Sequence, residues 1–208
     1  LILGAPYFAA RKDEHVEQFV RILAESTNMA IMFYNSPQFG IVLDAESLNR
    51  ICQIPGVIGV KEASFDRNIS IKAHQLIGGK SIISTPDEWI LFEGIKLGFC
   101  QQVMFANTSD WRFGKPGKNY YVEFINEATK GKINEKRYNL EVKPVKLVSD
   151  EWWMKTVKQS GGVIPVALCK YWGELLGMAG GHVRTPVANF TNSNRLALKD
   201  DLVKLGLC

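Results

Sequence analysis

The first hundred residues alternate short apolar runs with longer amphipathic stretches. Leu1 to Ala5 reads as a strand. From Asp13 to Ser26, Val16, Phe19, Val20 and Leu23 recur at helical spacing and form one apolar face. Ala30 to Tyr34 is apolar almost throughout and predicts a second strand. Asp44 is placed to cap a helix that buries Leu48 and Ile51 and stops before Pro55-Gly56. Val57 to Lys61 predicts a third strand, followed by a helix near Asn68 to Ile77 and a break at Gly78-Gly79. Ser81 to Ser84 predicts a fourth strand. Pro86 then suits the first turn of a helix that buries Trp89, Ile90 and Ile95 and ends at Gly98. Gln101 to Ala106 predicts a fifth strand.

Strands this apolar are expected to be buried on both faces, the habit of parallel strands covered by helices. A strand plus a helix recurs in roughly 25 to 30 residues, the βα unit of a barrel or of a doubly wound sheet. The fold class is therefore α/β. After Asn107 the alternation stops, and the rest predicts helices at Tyr120 to Thr129, Asn134 to Leu147, Glu151 to Gln159, Val163 to Met178 and Asn194 to Leu205. Gly161-Gly162 and Gly180-Gly181 break that helical part.

Composition narrows the classes. The 208 residues suffice for one large domain or a domain with an appendage. Hydrophobic residues make up 46% and charged residues 22%, ordinary for a soluble globular chain. The net charge of +4 is spread along the chain, so no basic block marks a nucleic-acid groove. No apolar run approaches the roughly 18 to 20 residues of a membrane span. Cys52, Cys100, Cys169 and Cys208 are far apart, with no CxxC pair and no histidine cluster nearby. That argues against structural zinc and fits a reducing, cytoplasmic compartment. The chain opens directly on Leu1-Ile2-Leu3-Gly4-Ala5-Pro6, a core element already under way, and further residues are expected ahead of it.

Two strand ends carry candidate chemistry: Phe33-Tyr34-Asn35-Ser36-Pro37 and Val60-Lys61-Glu62-Ala63-Ser64. In parallel βα sheets and barrels, active sites lie beyond the carboxyl ends of the strands. A lysine ending an apolar strand is costly to bury unpaired. The same burial favours the free amine, the form that attacks a carbonyl. Lys61 is thus either an amine nucleophile or half of a surface pair with Glu62. Tyr34 is either an acid/base group for carbinolamine formation and dehydration or a core aromatic.

The combination of YNSP (Tyr34 to Pro37) with GVIGVKEAS (Gly56 to Ser64) resembles the dihydrodipicolinate synthase and N-acetylneuraminate lyase superfamily. Ala5-Pro6-Tyr7-Phe8 is similar to that family's Pro-Tyr-Tyr segment at the fourth strand. Ser84-Thr85-Pro86-Asp87 sits where the family has a Ser-Gly-Asp turn, and Gly181 to Pro186 is similar to its Gly-x-x-Arg-x-Pro. The resemblance implies an eight-stranded βα barrel with a helical C-terminal extension, assembled as a homotetramer. This chain would hold strands four to eight over residues 1–130 and the extension over residues 131–208. It implies a Schiff-base lyase acting on pyruvate or another 2-keto acid, with Lys61 and Tyr34 catalytic and no metal or organic cofactor. Five strands do not close such a barrel, so activity is expected only within a complete one.

Departures from the family pattern narrow the substrate. The family's synthases place an Arg after YN-x-P to hold a second carboxylate; here the stretch is Gln38-Phe39-Gly40. Their relay hydroxyl at the second Tyr of Pro-Tyr-Tyr is Phe8 here. Losing a carboxylate clamp and a relay hydroxyl argues against the synthase reaction. Tyr7, Phe39, Thr85 and Asn107 are the candidate substrate contacts, with Phe39 as an apolar wall to which Trp89 and Phe105 either contribute or, instead, belong to the core. Asn107 and Thr108 either touch substrate or cap the next turn. His182 and Arg184 either bind an anion or serve structure. The alternative function is a non-catalytic barrel relative that binds small molecules.

Overall fold

The computed structural model describes every residue except 102, 105–109, 116, 118 and 119. It divides into two compact units, Leu1–Ala106 with Glu127–Ile133, and Asn107–Asn126 with Asn134–Cys208.

The first unit alternates β1 (Ile2–Gly4), α1 (Asp13–Glu25), β2 (Ile31–Asn35), α2 (Ala45–Cys52), β3 (Val57–Glu62), α3 (Arg67–Ile77), β4 (Ile82–Ser84) and α4 (Glu88–Lys96). Three of the helices start on an aspartate placed after the preceding strand. Asp44 accepts from the Ser47 amide, Asp66 from the Asn68 amide and Asp87 from the Trp89 amide. Each bond satisfies an amide that a helix start leaves unpaired.

Among the described residues the strands form one sheet in the order β1-β2-β3-β4, with every neighbouring pair parallel. Sequential order without a reversal is the singly wound arrangement; a doubly wound sheet reverses its order at a switch point. Right-handed crossovers then put the helices on one face. The buried core lies there, joining Ile31, Phe33, Val60 and Ile83 of the sheet to Val16 and Val20 of α1, Leu48 and Ile51 of α2, and Ala73 and Ile77 of α3. A bulge at Ile31/Met32 lets Val57 and Val60 both face this core. Gly59 is required where it stands: a Cβ there would lie 2.1 Å from the Ile82 carbonyl oxygen of β4.

Burial on both faces holds only in part. Ile2 is 61% and Ile58 44% exposed, because the described helices cover one face of the sheet. In α4, Ile90 and Leu91 are buried, while Ile95 is exposed and Trp89 is only half-buried under the Arg67 guanidinium. Ile95 lies one turn beyond Leu91 on the same side of the helix, and it is exposed because it stands in the last turn, next to the final residue of α4. Of the fifth predicted strand, Gln101–Ala106, half lies outside the described residues, as do Asn107 and Thr108, and the described Gln101, Val103 and Met104 are not in a strand; the candidate Phe105 lies in the undescribed half.

The second unit is helical: most of α5 (Tyr120–Ala128), the single turn α6 (Glu135–Arg137), then α7 (Lys143–Gln159), α8 (Val166–Leu175) and α9 (Asn192–Lys204). The two helices predicted over Asn134–Leu147 and Glu151–Gln159 are differently divided. Residues Tyr138–Val142 wind as a π-helix, and α7 then runs unbroken through Ser149-Asp150. Pro144 has no amide with which to continue that ladder, and the pitch changes from π to α just ahead of it. Ser149 is tolerated mid-helix because its hydroxyl accepts from Arg112 Nε at 2.8 Å. No helix among the described residues is long and apolar enough to cross a membrane.

Candidate active site

Strand register decides which side chains share a face. Gly4 pairs with Tyr34, Tyr34 with Lys61, and Lys61 with Ser84. These four positions form one row across the carboxyl ends of the strands, and in-register partners point to the same side. The next residues along, Asn35 and Glu62, also pair with each other and point to the opposite side. There they meet the helices: Glu62 bonds Ser70 of α3, and Asn35 bonds Leu43 just ahead of α2. The Tyr34–Lys61 row therefore occupies the sheet face that these helices leave uncovered.

Lys61 Nζ lies 4.4 Å from the centroid of the Tyr34 ring. Both side chains are half-buried. The surface-pair alternative for Lys61 fails on geometry, since Glu62 is fully buried on the other face of the strand. Among the described residues no carboxylate pairs with Lys61. An amine held over an aromatic face, with a phenol beside it, has the reach for carbonyl addition and proton transfer at one centre.

The ring of Phe39 fills the place that Gly4 leaves empty in the row: a Cβ on Gly4 would meet it at 2.7 Å. Phe39 then stands edge-on to Tyr34, with centroids 5.2 Å apart and planes at 74°. It reaches this position because Pro37–Phe39 forms a 3-10 turn that ends on Gly40 at φ 81°. The Tyr7 ring lies against Gly40. Phe39, Tyr34 and Lys61 are thus contiguous, and Tyr7 stands beside them against Gly40.

Other candidates lie elsewhere. Thr85 is buried, with its hydroxyl 3.1 Å from His74 Nε2 and its amide donating to Gln101 Oε1 at 2.6 Å. It is Ser84, one residue earlier, that stands on the Lys61 row. His74 is stacked on Phe99 with ring centroids 4.9 Å apart. Burial pushes its imidazole down to about 4, and the Gln101 amide opposes that shift. Trp89 is held by Arg67, which also grips Asp87 at 2.9 Å. In the second unit, exposed His182 lies 3.3 Å from the Asn189 side chain through Nδ1, and the Arg184 carbonyl accepts from the Val187 amide. Burial pushes the Cys52 thiol up to about 12, which keeps it an inert core group.

Two features escaped the sequence. Gln38 Nε2 donates to the Tyr34 hydroxyl at 3.0 Å, a pairing legible in principle from the four-residue spacing once the 3-10 turn is known. Phe8 and Phe65 hold left-handed backbones, φ 68° and 65°, and are 73% and 82% exposed. Side chains rarely adopt that region, and bulky ones least of all. Both follow strands of the row, in the loops after β1 and β3.

Fold and site together define a singly wound parallel βα protein with a lysine and a tyrosine facing each other at the strand ends. The model of the dihydrodipicolinate synthetase family matches residues 2–205, and the chain belongs to that family. It is 22% identical to a 4-hydroxy-tetrahydrodipicolinate synthase of Methanosarcina acetivorans over 210 residues, covering all of this chain and 66% of that protein. It is 26% identical to the corresponding synthase of Anaplasma marginale, covering 99% and 63%. Among solved structures, a dihydrodipicolinate synthase from Bacteroides thetaiotaomicron superposes with a TM-score of 0.75 at 20% identity over 98% of this chain and 65% of that one. The chloride-inhibited enzyme of Acinetobacter baumannii, complexed with pyruvate, gives 0.72 at 22% identity over 100% and 66%. The chain thus spans about two thirds of the length of these relatives.

Proposed function

We propose that the protein is a lyase acting on pyruvate or another 2-keto acid through a Schiff base on Lys61. The observation that carries this reading is the pairing of Tyr34 with Lys61 across adjacent parallel strands, Nζ 4.4 Å from the ring, on the uncovered face. The family to which the chain belongs, and a pyruvate complex of one structural neighbour, support it.

The Lys61 amine adds to the keto carbon and gives a carbinolamine. The Tyr34 hydroxyl donates a proton to the departing hydroxyl, and water leaves as the C=N bond forms. The resulting iminium is an electron sink for the bond at the neighbouring carbon. That bond is broken or formed, or water is lost beside it, and hydrolysis returns the amine. Gln38 donates to the Tyr34 oxygen, which steadies the phenol and supports negative charge there when its proton has moved.

Phe39 is the distal wall of the substrate site, and Tyr7 flanks it. The stretch after YN-x-P, where the synthases place a carboxylate-holding Arg, is Gln38-Phe39-Gly40 and one residue shorter, so a substrate without a second carboxylate is favoured. Thr85 and Asn107 are further substrate contacts in this reading. In this reading residues 1–130 form part of a (β/α)8 barrel and residues 131–208 its helical extension, in a cytoplasmic homotetramer.

The test is chemical. The natural full-length protein is incubated with pyruvate, reduced with borohydride and digested, and the peptides are mapped by mass. A reduced pyruvate adduct on Lys61 is expected. An unmodified Lys61 with the label elsewhere, or no label, overturns the reading.

A further inference from the structure

Directly behind the Tyr34–Lys61 pair lies a buried polar cluster with no part in the chemistry above. Its centre is Glu62, fully buried, beside Asn35, which is 1% exposed. The two carboxylate oxygens divide their partners. Oε1 accepts from the Ser64 amide at 2.8 Å and from Asn35 Nδ2 at 3.4 Å, and Oε2 accepts from the Ser70 hydroxyl. Asn35 is itself clamped to one backbone site, donating to the Leu43 carbonyl at 3.0 Å and accepting from the Leu43 amide at 2.9 Å.

A buried carboxylate without a cation is expensive, and an apolar residue would serve the core better at this depth. What this one accomplishes is geometric. It joins the end of β3 to α3 through Ser70, to its own following loop through Ser64, and to β2 through Asn35. Asn35 in turn fixes the end of β2 to the segment entering α2. The clamped residues are the immediate neighbours of Tyr34 and Lys61 in sequence. Strand alternation converts a shift of either anchor into a shift of the reactive side chain on the other face.

We infer that Glu62 is a positioning residue, which with Asn35 holds the ends of β2 and β3 in register so that Lys61 stays over Tyr34. This rests on the Lys61 reading for its catalytic consequence, but its structural half is independent of it. The role depends on hydrogen bonds and not on charge. In Glu62→Gln, the amide oxygen can accept from Ser64 and Asn35 while the NH2 donates to Ser70. The Ser70 hydroxyl then donates to the Asp66 carbonyl, which already lies 3.1 Å away.

Two readouts on the natural full-length protein separate the possibilities. In the first, reductive methylation with 13C-formaldehyde places a methyl reporter on the lysines. The Lys61 signal is assigned by its loss in Lys61→Arg. The Tyr34 ring should shift that signal upfield in the parent and in Glu62→Gln, and the shift should vanish in Glu62→Ala. In the second, the rate of borohydride-trapped pyruvate adduct is measured at saturating pyruvate. Glu62→Ala should lose about 10- to 100-fold, the scale of an ångström-sized misplacement. Glu62→Gln should stay within about threefold. Ser70→Ala removes one arm only and should fall between, so the inference remains testable if Glu62→Ala does not fold. Val20→Ala, a core truncation in α1 away from the cluster, is the control for lost stability. It should keep both the ring shift and the trapping rate.

A Glu62→Ala or Ser70→Ala protein that keeps the ring shift and the trapping rate overturns the inference. So does Val20→Ala losing both to the same degree. A parent protein that shows the ring shift but traps no pyruvate overturns the Schiff-base reading instead, and leaves the positioning role to stand on the methyl signals.

Discussion

Lys61 and Glu62 are adjacent in sequence and occupy opposite worlds. Lys61, half-buried, faces an aromatic ring on the uncovered side of the sheet, with no carboxylate partner among the described residues. Glu62 is fully buried on the covered side, with both oxygens engaged. Tyr34 and Asn35 repeat the contrast one strand away. The period-two alternation of a strand separates a reactive surface from its anchoring surface by one residue. Behind the lysine held over Tyr34 stands a carboxylate with both oxygens hydrogen-bonded. The second unit uses a buried charge differently. Arg112, 4% exposed, donates to Ser149 and lies over the rings of Trp153 and Trp172, where it ties helices together.

The contrast is broken most severely by removing the amine. Lys61→Ala should abolish turnover and adduct formation, a loss beyond about 10,000-fold, with the thermal midpoint unchanged within a few degrees. Steady-state kinetics and a melting curve on the same sample check both halves. Tyr34→Phe keeps the ring under Lys61 and removes the hydroxyl. A kcat loss of about 100-fold or more is expected, with the upfield-shifted Lys61 methyl signal retained.

The covered face should respond in stability instead of rate. His74 is neutral in the fold, with its imidazole pushed down to about 4 from the ordinary value of 6.5. Between those values the unfolded chain binds more protons than the folded one, so stability is intact above about 6.5 and falls as pH drops toward about 4. The expected loss is about 3 kcal/mol, seen in urea melts across that range and absent in His74→Phe. Smaller effects sharpen the edges of the site. Gln38→Leu should lower kcat by about threefold and move the pH–rate profile, since its bond to Tyr34 is solvent-exposed. Phe65→Gly should raise stability by about 1 kcal/mol by releasing a left-handed backbone. If it also lowers kcat/KM, the exposed Phe65 ring contacts substrate.

Much of the first unit was legible because its signals are local. Apolar runs marked the strands, and Asp44 marked a helix start that its side chain does cap. The Tyr34 and Lys61 motifs carried the family resemblance, and register places the two residues on one row. What was hidden depends on three dimensions. Glu62 faces away from Lys61 because β3 runs one residue past the predicted Val57–Lys61, through Glu62, and alternation does the rest; which of the two faces the helices cover is what one sequence does not reveal. The same limit applies to Thr85, whose hydroxyl turns to His74 while Ser84 takes the row. Ile95 read as buried from hydropathy, but it is 39% exposed at the end of its helix. In the second unit Ser149-Asp150 looked like a break, because the Arg112 bond that accommodates the serine comes from a residue 37 positions earlier.

The central claim is that Lys61 forms the covalent bond to substrate while Tyr34 stands beside it. A crystal of the natural full-length protein soaked in pyruvate, without reductant, tests it most directly. Continuous density from Lys61 Nζ to the keto carbon is expected, with the Tyr34 hydroxyl within hydrogen-bonding distance of the adduct. Pyruvate bound without a bond to Lys61, or bonded to a different lysine, contradicts the account.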